Sequence, residues 1–335
     1  MHLFKLTRRL IDIESISGNE KNVALFLKDY LAAMGAEVTL EEAEPDRPNV
    51  RAFWGRPDVV LSTHLDTVPP FYPSSEDEQF IYGRGACDAK GIIATQIEAA
   101  SRLRQEAISD IGLLFVVGEE RNSAGALAAN QKPPGSRYLI DGEPTDNRLA
   151  LGTKGALRVS IDASGKAAHS AYPELGESAI EKLIVALELL KKLDLPEDEL
   201  LGKTTYNIGI IQGGVAPNVV PDFAHAEIMY RLVEPADKLL ISLQRAVGSL
   251  ASVNKIFYIP PVKLGTIEDL ETTVVSFATD IPSLTAWGQP FLIGPGSIHV
   301  AHTDQEKVAK DELVHGAAIY VKMVKRLKAK GTGNR

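Results

Sequence analysis

Apolar residues recur at helical spacing from Leu3 to Ile13 and again from Asn19 to Met34, which predicts two amphipathic helices at the start of the chain. The pattern then changes to alternation in "GAEVTLEEAE" and "NVRAFWG", as expected for strands. After Pro57 three segments share one design, an apolar run that breaks off at polar residues. "DVVLSTHLD" ends at Thr63-His64, "IGLLFVVGEE" at Glu119-Glu120, and "SRYLIDGEPT" at Asp141 and Glu143. A helix over about residues 89–105, entered through "GRGACDAKG", separates the first two. Continuous apolar runs alternating with helices predict a largely parallel sheet covered on both faces.

The pattern changes again after Gly155. "GALRVSIDASG" alternates as a half-exposed strand, "GESAIEKLIVALELLKKL" is an amphipathic helix, and "TTYNIGIIQGG" and "HAEIMYRLVE" are strands. "PADKLLISLQRAVGSLA" adds a second helix and "VNKIFYIP" a last strand. The order β-α-β-β-α-β is that of a ferredoxin-like unit. From about Leu264 the first pattern resumes, with a helix expected near Leu270–Ala278, a strand in "QPFLIG" and a closing helix over about Val308–Lys328. The expected fold is therefore α/β: a mostly parallel mixed sheet flanked by helices, formed by residues 1–154 and 264–335, with an inserted α+β lid or dimerisation domain at 155–263.

Composition narrows the function. The chain has 335 residues, enough for two domains. Its formal net charge is −8, which gives no basic footprint for nucleic acid. No apolar run reaches the roughly 18 residues of a membrane span, and the mixed-charge N-terminus does not read as a signal peptide. The expected setting is the cytoplasm, with a small solute as partner. Cys87 is the single cysteine, so an intrachain disulfide and a thiolate-rich zinc site are both excluded.

In open parallel sheets, ligands gather beyond the carboxyl ends of the strands. Here those ends carry His64, Glu119, Glu120, Glu143 and His302, and the loop before the first crossover helix adds Asp88. Any one of them alone reads as a solvated or structural side chain. Together, two histidines and several carboxylates without thiolates suit Zn2+, Mn2+ or Co2+. The carboxylates exceed what one catalytic zinc requires, and the surplus points to two metals sharing a bridging carboxylate. Neighbouring residues in extended chain face opposite ways, so Glu119 and Glu120 need not share one role.

"HLDTVP", "GRGACDAKG", "GEE", "GEPT" and "GPGSIHVAHTDQE" follow one another in this order. They resemble the signature segments of the M20 family of co-catalytic zinc amidohydrolases, which includes acetylornithine deacetylase, succinyl-diaminopimelate desuccinylase, aminoacylase and carboxypeptidase G2. The resemblance covers about residues 7–325 and implies two divalent metal ions, zinc first and cobalt or manganese as alternatives. It implies that His64 ligates one metal, that Asp88 bridges both, and that Asp66 holds the His64 imidazole. Glu120 would join His302 on one metal and Glu143 would join His64 on the other. Glu119 would be the general base, taking a proton from the bridging water and passing it to the departing amine. His302 is preferred to His299 because the family's ligand stands four residues before a glutamate, here Glu306.

"GKAAHSAYPELGESA" resembles the family segment whose histidine steadies the oxyanion in the partner subunit's site, which makes His169 that candidate and implies a homodimer through the inserted domain. "GGVAPNVVPDFAHAEIMYRL" resembles the substrate-binding segment and suggests Asn218 and Arg231. A guanidinium grips a carboxylate in bidentate fashion, and the amides around Gly294 and Gly296 are candidates to help hold it. The resemblance also implies a cis peptide at Asp88–Ala89. His2, His225, His315 and Cys87 read as surface or packing residues, and Lys154 as a solvated lysine.

The function expected from this resemblance is cleavage of the amide of an N-acyl-L-amino acid, closest to the acetylornithine and acetyl-lysine deacetylases. A di- or tripeptidase or carboxypeptidase of the same fold is the alternative, and a non-catalytic binding protein on the same scaffold a second. A serine or cysteine hydrolase is disfavoured because neither a G-x-S-x-G elbow nor a Cys–His motif is present.

Overall fold

A computed structural model describes residues 2–330. The chain separates into two compact units. One runs through Leu151 and resumes over Leu264–Thr273 and from Thr279; the other comprises Gly152–Lys263 and Val274–Ala278.

The first unit is built on a six-stranded sheet. Its spatial order is Glu37–Glu44, Arg47–Trp54, Ile111–Val116, Val59–His64, Tyr138–Asp141, Gln289–Leu292. The last four run parallel, and the first two form an antiparallel hairpin that joins the Ile111–Val116 strand antiparallel. Every residue of Val59–His64 and Ile111–Val116 is buried, which explains their unbroken apolar pattern in the middle of a covered sheet. The outermost strand, Glu37–Glu44, has one buried residue, in keeping with its alternating sequence.

Helix Lys90–Gln105 follows the Asp88 loop and packs on helices Leu3–Ile11 and Lys310–Lys330. Leu3, Leu6, Leu10 and Ile11 form the buried stripe of the first of these, the spacing that made it legible. The last helix starts with Asp311 and Glu312 and ends with Lys328 and Lys330, a charge order that complements the helix dipole. No described helix is long and apolar enough to cross a membrane.

The second unit has a four-stranded antiparallel sheet in the order Thr205–Gly213, Phe223–Leu232, Gly155–Ser164, Ser252–Ile259. Helices Ala179–Leu190 and Ala236–Val247 pack on it and on each other, sharing a core with Leu157, Ile161, Ile228 and Tyr230. Ser178 caps the first helix by accepting the Glu181 amide at 3.2 Å, as an N-cap serine does. The chain order is β-α-β-β-α-β.

Several segments differ from expectation. Thr272–Val275 is a strand, not part of a helix; four successive β-branched residues favour extended chain over the helical spacing of Leu270 and Ala278. Helix Ala124–Asn130 and strand Leu149–Thr153 were not anticipated. Short apolar stretches of this kind carry too few residues to show a period.

Candidate metal centre

The four parallel strands deliver their polar ends to one edge of the sheet. His64 is the last residue of its strand, Glu143 follows Asp141 by two positions, and the segment after Leu292 leads to His302. Asp88 enters from the loop before helix Lys90–Gln105, and its peptide bond to Ala89 is cis, as expected. Glu119 and Glu120 lie beyond the end of their strand at Val116, in a turn entered through Gly118 at φ +80°. That positive φ favours glycine, and a Cβ there would stand 2.8 Å from Asn122 Oδ1. The two glutamates lie together in a turn and not in extended strand, which corrects the extended-chain expectation.

Two groups of metal-type donors result. His64, Asp88 and Glu143 form one, Asp88, Glu120 and His302 the other, with the ligand atoms of each within 4.8 Å of one another. Asp88 belongs to both: Oδ1 lies 2.9 Å from His64 Nε2 and Oδ2 lies 3.2 Å from His302 Nε2. Glu120 Oε1 is 2.9 Å from His302 Nε2, and Glu143 Oε1 is 4.0 Å from His64 Nε2.

The residues fit a cation pair. His64 Nδ1 meets the Asp66 carbonyl oxygen at 2.9 Å. A carbonyl only accepts, so Nδ1 carries the hydrogen and the Nε2 lone pair points at Asp88. A lone pair facing a carboxylate in a buried site requires a proton or a metal cation between them. In the absence of metal the proton takes that place. Burial alone would lower the His64 imidazole, but Asp66 and Asp88 hold it well above its ordinary value. Hydrogen bonds to Asp88 and then Glu120 push His302 up to about 10. Burial would raise Asp88, yet His302 and His64 bring it down. Glu143 and Glu120 are raised by burial first, with Glu119 adding to the effect on Glu143.

Glu119 differs from these ligand-type carboxylates. Its carboxylate has no hydrogen-bond partner among the described residues, and burial, then Asp280, Glu120 and Asp88, push it well above the ordinary range. Its backbone is held by Asp66. Asp66 Oδ1 accepts the amides of Gly118 at 3.0 Å and Glu119 at 3.1 Å, and Oδ2 accepts that of Glu120 at 3.3 Å and the Ser17 hydroxyl at 2.6 Å. The expected contact of the Asp66 carboxylate to the His64 ring is longer, 3.6 Å. Asp66 therefore holds the imidazole through its carbonyl and the glutamate turn through its carboxylate.

The sequence profile of Peptidase family M20/M25/M40 matches residues 60–326. A peptidase M20 domain-containing protein of Schizosaccharomyces pombe is 40% identical over 336 residues, covering 96% of this chain and 84% of that one. The chain belongs to the M20 peptidase family. As a member it is a metal-dependent hydrolase. A probable carboxypeptidase of Aspergillus terreus is 37% identical over 95% of this chain and 84% of its own length. In fold, this M20 chain is similar to a tripeptidase from Staphylococcus aureus, with a TM-score of 0.84, 22% identity and 97% of each chain covered.

The remaining sequence candidates fare differently. His169 is exposed at the end of the short strand Ala168–His169, with Nδ1 accepting the Ala171 amide at 3.1 Å. Pairing of His169 with Val219, and of the Ser170 amide with the Asn218 carbonyl, brings the His169 and Asn218 segments together. Arg231 stands opposite Thr205 and Ala156 in its sheet, and its guanidinium has no hydrogen-bond or ion-pair partner among the described residues; burial lowers that group from its ordinary value.

Gly294 does not offer the amide expected of it, because that N–H already donates to Thr145 Oγ1 at 3.1 Å. The Gly296 backbone acts electrostatically on the Glu312 carboxylate, lowering it against the rise that burial imposes. Lys154 is not solvated either: it is 8% exposed and its Nζ donates to the Lys203 carbonyl at 2.6 Å. His299 is exposed and outside both donor groups.

Sequence reasoning missed Asp280. It is 2% exposed, and neither carboxylate oxygen meets hydrogen-bond geometry, although Ser123 lies beside it. Burial lifts it to about 6, and it acts electrostatically on Glu119 and Asp141. A lone aspartate in "FATDIPS" carries no local signal of this role.

Proposed function

We propose that this M20 hydrolase is a carboxypeptidase-type enzyme that cleaves short peptides bearing a free C-terminal carboxylate, using two divalent ions, zinc first and cobalt or manganese as alternatives. The observation that carries the reading is the pair of donor groups sharing Asp88, with the partnerless carboxylate of Glu119 set in the same turn as Glu120. The 37% identity to a probable carboxypeptidase favours peptides over the acetylornithine-type substrates suggested by the motifs.

His64, Asp88 and Glu143 would hold one ion and Asp88, Glu120 and His302 the other. Bound there, two cations supply Lewis-acid polarisation of a carbonyl and a water of lowered pKa. Glu119 then takes the proton of the attacking water and returns it to the departing amine, the general base and general acid in turn. Arg231 takes the terminal carboxylate, with a planar fork that has no internal partner to give up. Asn218 positions the peptide, and His169, whose Nε2 is the ring nitrogen left open, donates to the oxyanion in the partner subunit's site. A homodimer through residues 155–263 completes this reading.

A hydrolysis panel tests it. Di- and tripeptides, the same peptides with C-terminal amides, and N-acetyl, N-succinyl and N-formyl amino acids are compared on one preparation of measured metal content. Free-acid peptides are expected to turn over fastest, with chelation abolishing activity and added zinc or cobalt restoring it. Faster turnover of N-acyl amino acids would make the chain a deacylase instead.

A further inference from the structure

Glu306 lies four residues beyond His302 and is 3% exposed. Its carboxylate is the hub of the loop that carries Asp88. Oε1 accepts the backbone amides of Gly85 at 2.8 Å, Cys87 at 3.3 Å and Asp88 at 3.3 Å, while Oε2 accepts Arg84 Nη1 at 2.6 Å. Successive amides converging on one anion form a nest, a geometry that fixes the backbone as well as binding the charge. Arg84 is itself 2% exposed, donates through Nε to the Pro70 carbonyl at 3.2 Å, and lies over the Tyr72 ring.

A second buried carboxylate close to Asp88 is electrostatically costly at an anionic centre. Arg84 offsets its charge, and the four hydrogen bonds satisfy its oxygens. What remains is geometry. The short segment 302–306 is tied by one side chain to the loop 84–88, and these two stretches supply His302 and Asp88, which meet at 3.2 Å. The arrangement parallels Asp66, which gathers the amides of Gly118, Glu119 and Glu120.

We propose that Glu306 is a positioning residue that sets the reach of Asp88 across both donor groups, so that it governs the ion held by His64 and Glu143, which it does not touch, as much as the ion held by His302 and Glu120. The inference rests on the two-metal reading given above.

Zinc binding to the metal-stripped full chain, followed by calorimetry, separates the two claims, with the melting temperature of the stripped protein recorded alongside. The wild type is expected to bind two ions; fewer would sink the two-metal reading itself. Glu306→Gln keeps the shape but places an amide NH2 against Arg84, and is expected to weaken both ions by about 10–100-fold, the range for groups that orient metal ligands. Unchanged affinities, or weakening confined to one of the two ions, would overturn the proposal. Glu306→Asp, which keeps the charge and shortens the reach by one methylene, covers the case in which Glu306→Gln does not fold. It is expected to weaken both ions while Arg84 stays paired, and wild-type affinities in a folded Glu306→Asp protein would equally overturn the positioning role.

Discussion

His64 and His169 both end a strand, yet they are built for different work. His64 is 1% exposed and engaged at both ring nitrogens, by the Asp66 carbonyl and by Asp88. His169 is exposed and engaged at one, through a local amide. The contrast extends to their units. Asp88, Glu143 and His64 are buried and cross-braced by Asp66, Glu306 and Arg84, whereas Asn218 is exposed and the Arg231 guanidinium has no partner among the described residues. Buried ionisable groups persist only when neighbours hold them or a cation neutralises them. In the proposed function, the centre that would bind a small, highly charged ion is assembled in advance, and the residues that would meet a changing peptide stay open.

The largest expected effect comes from dividing the adjacent glutamates. Glu119→Gln should lower kcat by about 10^2–10^4-fold, the usual contribution of a general base, with both metals retained. Glu120→Gln should lose the metal shared with His302. Equal metal loss in the two variants, measured by elemental analysis beside turnover, would erase the distinction between a braced ligand and a free base.

A smaller effect is expected on the open side of the comparison. Arg231→Lys keeps the charge but loses the planar fork, so KM for free-acid peptides should rise about 10–100-fold, in line with the roughly 1.5–3 kcal/mol of a hydrogen bond to a charged group. Metal content and the weak turnover of C-terminal amides should not change. A matching rise in KM for the amides would show that Arg231 does not take the carboxylate.

These contrasts were unevenly legible in the sequence. The strands that lead to His64, Glu119 and Glu143 stood out because central strands of a covered sheet carry apolar runs, and the polar residues after them come abruptly. The helix expected near residues 270–278 was misplaced because helical spacing was weighed above the β-branched run Thr272–Val275. Gly294 was misjudged for a different reason. Its amide partner, Thr145, is 149 residues away, and no local pattern reveals which backbone amides the tertiary fold has already used. The braces were hidden in the same way: Asp66 reaches the glutamate turn across 52 to 54 residues, and Glu306 reaches Gly85 across 221. Motifs pointed to the candidate residues; they did not show what holds them.

The sharing of Asp88 between two donor groups is the centre of this account, and zinc titration of metal-stripped Asp88→Asn beside the wild type tests it most directly. Two ions are expected to bind per wild-type chain, with a loss of affinity at both in the variant, because asparagine cannot bridge as a carboxylate does. Retention of either ion at wild-type affinity in Asp88→Asn would contradict it.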